Sequence, residues 1–270
     1  MKIKITRIPL TENLYFHKHT FNFYKTLFYI HPNRGYVRYL ISIILLNIKL
    51  FLFNKITIHF DDFKLDKDDE IILLKRNNID RTVFLISNNK SFFVYKLFIK
   101  DKKSFKNEIN TLNNIKISKN SRIDLPKVII STESQKYDLI KLKINNFKIM
   151  KPKKEFNSFL KDYKIFYDSY LKDKNLIHGD LAFWNISKTN FGYEVFDWET
   201  VDVGTLDMDI AWFYLTSVKV KHFELNSFNN NNLSYLDNKI SLLGNGLNDM
   251  KIKFKFKKLI KKLKNSGIHK

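Results

Sequence analysis

Between positions 178 and 199 the chain groups several oxygen-bearing side chains at close spacing. They are Asp180 within His178-Gly179-Asp180, then Asn185, then Asp197 and Glu199 within Asp197-Trp198-Glu199. Asp180 lies on a loop expected to leave an amphipathic helix. Asn185 follows as the chain enters a hairpin, and Asp197 stands at that hairpin's far end. A two-stranded ribbon returns its end to its beginning, so Asn185 and Asp197 are expected to converge. One amide oxygen and one carboxylate are hard ligands, suited to Mg²⁺ held jointly with the phosphates of a nucleotide. Asp180 is left beside them to orient a hydroxyl and accept its proton.

The elements that must position these residues are visible in the apolar pattern. Phe156, Phe159, Leu160, Tyr163, Phe166 and Tyr167 recur at helical spacing and predict an amphipathic helix over Glu155–Leu171. Ile186 and Tyr193–Trp198 flank a turn at Thr189–Gly192, which predicts the hairpin. Asp207–Val218 and Asp249–Leu263 read as further helices, the second very basic. Upstream, Ile71–Lys75, Arg81–Ser87 and Ser91–Lys100 read as strands, with Asn88-Asn89 as a tight turn. A helix over Ser104–Ile115 follows, with Ser104 as its N-cap. Lys127–Ser131 and Tyr137–Leu142 complete five antiparallel-looking strands with one helix after the third.

The string HGDLAFWN, the hairpin-spaced FDWE and the later VGTLDMDIAWF together resemble the aminoglycoside phosphotransferase and choline-kinase-like family. The pattern is nearest to the HGDxxxWN phosphotransferases of surface-polysaccharide and lipopolysaccharide gene clusters. The resemblance is clear over Leu176–Phe213 and extends plausibly from about residue 71. It implies an α+β, protein-kinase-like two-lobed fold, with a small antiparallel-sheet lobe and a mainly helical large lobe. It further implies ATP and Mg²⁺ as cofactors, and phosphoryl transfer to a hydroxyl of a small-molecule or glycan acceptor. Asp180 would be catalytic, with Asn185 and Asp197 on the metal. His178 and Asp209 would support the catalytic loop. A lysine on the third strand and a glutamate on the next helix are also required, and Lys96 and Glu108 match, with Lys100 as a rival at the strand's edge. Glu199 and Arg76 are further candidates. The departure is the phosphate-covering turn, Lys75–Asp80, which holds no glycine. An inactive kinase-fold binding protein and a true protein kinase are the alternatives. Against the latter, only a short link joins Glu199 to Asp209.

Composition bounds the rest. Of 270 residues 44% are apolar, enough for a sizeable core, and with no cysteine there is no disulfide, thiol nucleophile or thiolate metal site. The net charge of +21 accompanies a general excess of Lys, Asn, Ile and Phe, so it reads as a basic surface, with no specific nucleic acid expected. Glycines number 7, and three of them, Gly179, Gly192 and Gly204, cluster near the motif. The run Tyr39–Phe53 is short for a bilayer span and carries Asn47 and Lys49. It is read as a buried helix, with weak anionic-membrane contact through Arg34 and Arg38 as the rival. The expected location is cytoplasmic, with any membrane association peripheral at the inner surface. The expected organisation is an N-terminal extension over 1–60, a small nucleotide-binding lobe over 61–145 and a large catalytic lobe over 146–270. The extension is read as aromatic-rich loops, one helix and a strand at Lys55–Phe60. The three tryptophans are read as packing residues, and His17, His19 and His31 as too scattered for a metal site.

Overall fold

The computed structural model describes residues 2–7, 14–16, 55–59, 70–75, 81–87, 91–135, 137–145, 148–217, 228–244 and 247–266. The chain divides into two compact units. One holds residues 1–114, 125–149 and 187–189, and the other residues 115–124, 150–186 and 190–270. The first is built on antiparallel sheet and the second is mainly helical. This is the α+β division into an antiparallel-sheet unit and a mainly helical unit expected from the sequence. The apolar run at 39–53, Arg76, and the three N-terminal histidines lie outside the described residues.

The sheet unit contains β1 (Lys2–Arg7), β2 (Leu14–Phe16), β3 (Lys55–His59), β4 (Glu70–Lys75), β5 (Arg81–Ser87) and β6 (Phe92–Phe98). Helix α1 (Lys102–Asn114) comes next, and β8 (Lys127–Thr132) and β9 (Asp138–Ile144) close the unit. The strand order is β3-β1-β2-β4-β5-β6-β9-β8, with every neighbouring pair antiparallel. Two corrections follow. The segments at 2–7 and 14–16 are strands rather than loops, because pairing such as Leu14↔Leu74 recruits them to the sheet. The N-cap of α1 is Asp101 rather than Ser104: its Oδ1 accepts the Ser104 N–H at 3.1 Å. Phe98, Phe105, Ile140 and Leu142 form the core between α1 and the sheet, and the Phe98 and Phe105 rings meet edge-on at 5.7 Å.

The helical unit contains β7 (Ile123–Asp124), α2 (Pro152–Tyr170), β10 (Leu176–Ile177), β12 (Tyr193–Val195) and β13 (Asp202–Val203). It ends in α3 (Leu206–Ser217), α4 (Asn230–Ser241) and α5 (Leu247–Asn265). The short strand β11 (Ile186–Lys188) lies where the chain passes between the units. Pro152 occupies the first turn of α2, where its missing N–H costs nothing. The face of α2 predicted to be apolar is the buried one: Phe159, Tyr163 and Phe166 are all at most 1% exposed. They pack around Phe213 and Trp198, with Phe159 4.9 Å from the Phe213 ring and Phe166 6.2 Å from that of Trp198. The pairing of β10 with β13 and of β12 with β7 braces the loop that carries the motif. Helix α4 was not expected from the sequence. Among the described residues no helix is long and apolar enough to cross a membrane.

Candidate active site

Lys96 lies in the middle of β6, opposite Val83 on β5 and Ile140 on β9. An interior strand position fixes its backbone on both sides. Its ammonium donates to both carboxylate oxygens of Glu108 on α1, at 2.7 and 2.9 Å, and both residues are buried. The rival, Lys100, falls beyond the end of the strand and is exposed.

The loop after β10 is held from below by Asp209 on α3. Its Oδ2 accepts the His178 N–H at 2.8 Å and its Oδ1 the Gly179 N–H at 3.0 Å, while the Tyr163 hydroxyl donates to Oδ2 at 2.9 Å. Burial raises this carboxyl to about 6, against those three hydrogen bonds, which favour the anion. Gly179 has φ +76°, and a Cβ there would collide with the Thr200 carbonyl oxygen. Glycine is thus required twice, by conformation and by space.

His178 has both ring nitrogens engaged inside the loop. The Asp180 N–H donates to Nδ1 at 3.2 Å, so Nε2 carries the proton and meets the Phe196 carbonyl at 3.0 Å. The ring also lies 4.4 Å from that of Trp198. Both contacts tie the ring to backbone of the segment 178–196.

The side chain of Asp180 is half-buried. Oδ1 accepts the indole N–H of Trp212 at 2.7 Å and pairs with the Lys239 ammonium at 3.6 Å. Oδ2 accepts from Asn185 Nδ2 at 3.1 Å, and the same amide donates to the Asp180 carbonyl at 3.0 Å. Burial raises the Asp180 carboxyl above the ordinary carboxylate range; Lys239 opposes this and the nearby Asp197 carboxylate adds to it.

The backbone brings Asn185 beside Phe196, the residue before Asp197. The Phe196 N–H donates to the Asn185 carbonyl at 3.0 Å, which ties the entry of the hairpin to its exit. Asp197 takes a left-handed conformation, φ 73° and ψ 50°, tolerated better by Asp than by most residues. It is pinned by its neighbour Trp198, fully buried with its indole N–H on the Val195 carbonyl at 2.8 Å. Because Asn185 Nδ2 is committed to Asp180, its Oδ1 is the amide atom that remains to face a cation. An amide oxygen and a carboxylate are donor types that fit Mg²⁺, a hard cation with oxygen ligands. Glu199 is buried one residue past Trp198.

Three residues around Asp180 were not singled out as site residues in the sequence. By sequence Trp212 reads as a packing residue. Tyr235 and Lys239 sit on the unforeseen α4 and both donate to the Gly179 carbonyl, the tyrosine at 2.9 Å. The available signal was Leu233, Leu236 and Ile240 at helical spacing after an Asn229 cap.

No family model and no curated protein matches the chain. Among solved structures it is similar to the bifunctional kinase-methyltransferase WbdD at 14% identity, over 67% of this chain and 43% of that one, with a TM-score of 0.39. A high-resolution WbdD structure gives 14% identity, 70% and 45% coverage and a TM-score of 0.41. A co-crystal of WbdD with the kinase inhibitor LY294002 gives 15%, 73% and 47%, and 0.37. The chain thus spans less than half the length of these proteins.

Proposed function

We propose that this chain transfers the γ-phosphoryl group of ATP to a hydroxyl of a small-molecule or sugar acceptor. The observation that carries this reading is the Asp180 carboxylate: two partners hold Oδ1, whereas Oδ2 meets a single amide donor and keeps a lone pair for a hydroxyl. The acceptor oxygen forms a bond to the γ-phosphorus as the bond to the β–γ bridging oxygen breaks. ADP leaves with that electron pair, and the acceptor's proton passes to Asp180. Lys96, held by Glu108, neutralises nucleotide phosphate charge. Asn185 Oδ1 and Asp197 would hold Mg²⁺, which supplies further neutralisation when bound. His178 and Asp209 keep the loop in place. A surface-glycan acceptor is the extension that the HGDLAFWN resemblance suggests. Any membrane contact in this reading is weak, salt-sensitive and made through Arg34, Arg38 and residues 41–53.

The test follows ADP release from Mg·ATP across a panel of sugar acceptors. Asp180→Asn and Asp180→Ala are expected to abolish acceptor phosphorylation while leaving Mg·ATP binding largely intact. Turnover equal to that of the parent would overturn the assignment. Nucleotide binding without transfer to any acceptor would favour the binding-protein alternative.

A further inference from the structure

An aspartate's carboxylate torsion is broad and two-fold, so its two oxygens exchange unless something distinguishes them. Here the surroundings do so. The Trp212 indole is a donor only, is 2% exposed, and places its N–H 2.7 Å from Oδ1. The Lys239 ammonium lies over the same indole ring, 4.7 Å from its centroid, and 3.6 Å from the same oxygen. The cation–π contact fixes the lysine and the ion pair directs it. Tyr235 and Lys239 also both donate to the Gly179 carbonyl, so α4 grips the peptide just before Asp180.

We propose that Trp212 and Lys239 are positioning residues that lock the Asp180 carboxylate, so that Oδ2 alone is presented to the acceptor hydroxyl. This rests on the phosphotransfer reading above. Trp212 comes from α3, the helix that also supplies Asp209 under the loop. One helix therefore sets both the backbone and the side chain of the reacting aspartate. The lysine brings a second helix to the same oxygen. Misplacing a reacting group by about 1 Å costs on the order of 100-fold in rate, so a lock of this kind acts on turnover rather than on nucleotide affinity.

The experiment uses the full chain and two independent readouts. In the first, ¹⁵N-labelled tryptophan gives one indole N–H resonance for each of the three tryptophans, and Trp212→Phe assigns its own by loss. The Trp212 resonance is expected to lie downfield, and Asp180→Asn should move it upfield while leaving that of Trp198 in place. A Trp212 resonance unmoved by Asp180→Asn overturns the lock, whatever the catalytic result. In the second, Trp212→Phe and Lys239→Met should each lower kcat about tenfold or more with KM for Mg·ATP nearly unchanged, both read well below the Tm of each variant. Lys239→Arg should restore most of the loss, and the double variant should lose less than the product of the single effects. Full turnover in Trp212→Phe, beside a dead Asp180→Asn, overturns the lock and leaves the phosphotransfer reading standing. An active Asp180→Asn defeats that reading itself.

Discussion

Glu108 closes on Lys96 with both carboxylate oxygens, at 2.7 and 2.9 Å, and the glutamate has no solvent exposure at all. Two charges at this depth have surrendered their hydration to each other. Removing one leaves the other uncompensated, at a cost of about 3–5 kcal/mol. Glu108→Ala should therefore lower the unfolding free energy measured by urea titration by that amount, and the double variant Lys96→Met/Glu108→Leu should recover most of it. A Glu108→Ala protein as stable as the parent would show that the ion pair does not form.

Lys96 and Lys100 provide an internal control for nucleotide binding. Each substitution removes one lysine from a very basic chain, so bulk charge cancels in the comparison. Lys96→Ala is expected to weaken productive Mg·ATP binding and slow transfer, with Lys100→Ala close to the parent. Titration of both with Mg·ATP decides it, and a greater loss in Lys100→Ala would reassign the phosphate contact.

The buried Asp209 gives stability a defined pH dependence. Its folded carboxyl titrates at about 6, so between about pH 4 and 6 the native state keeps a proton that the unfolded chain has released. That contribution is complete below about pH 4, declines as pH rises to about 6, and is level above it. Tyr163→Phe removes a hydrogen bond to this carboxyl. The cost should be about 1.5–3 kcal/mol above pH 6, where the acceptor is charged, and smaller near pH 4.5. Urea unfolding at the two pH values checks this; an equal cost at both would mean that Asp209 does not change charge between them.

Gly179→Ala should be poorly tolerated, since a Cβ would press on the Thr200 carbonyl at a positive φ. We expect a loss of about 2 kcal/mol or more, with transfer reduced because the displaced loop carries Asp180. Thermal unfolding and ADP release measured together test both halves. A variant with parental Tm and turnover would contradict the loop geometry.

The sequence was legible where chemistry is local. The register of β6 that brings Lys96 inward, and the helix one turn on that offers Glu108, follow from short-range pattern. So does the hairpin that brings Asn185 back to Phe196. What stayed hidden depends on distant partners. Lys239 is one among 48 basic residues, and nothing in its neighbours marks it until α4 packs beside α3. The asparagine run at 229–232 masks the apolar spacing of that helix. The three-residue strand Leu14–Phe16 is a strand because Leu74, Leu73 and Ile72 pair with it. The size of Trp212 predicts its place in the core, whereas the hydrogen bond of its one polar atom depends on Asp180, distant in sequence.

The placement of the three tryptophans has a practical corollary. Trp184, Trp198 and Trp212 all fall in the helical unit, and the sheet unit contains none. Indole emission is therefore a spectroscopic window on one half of the molecule, centred on the loop that carries Asp180. A denaturation curve followed by tryptophan fluorescence follows that half. Melting of the sheet, including the Lys96–Glu108 pair, would pass without an indole signal of its own and has to be followed through tyrosine or far-ultraviolet dichroism.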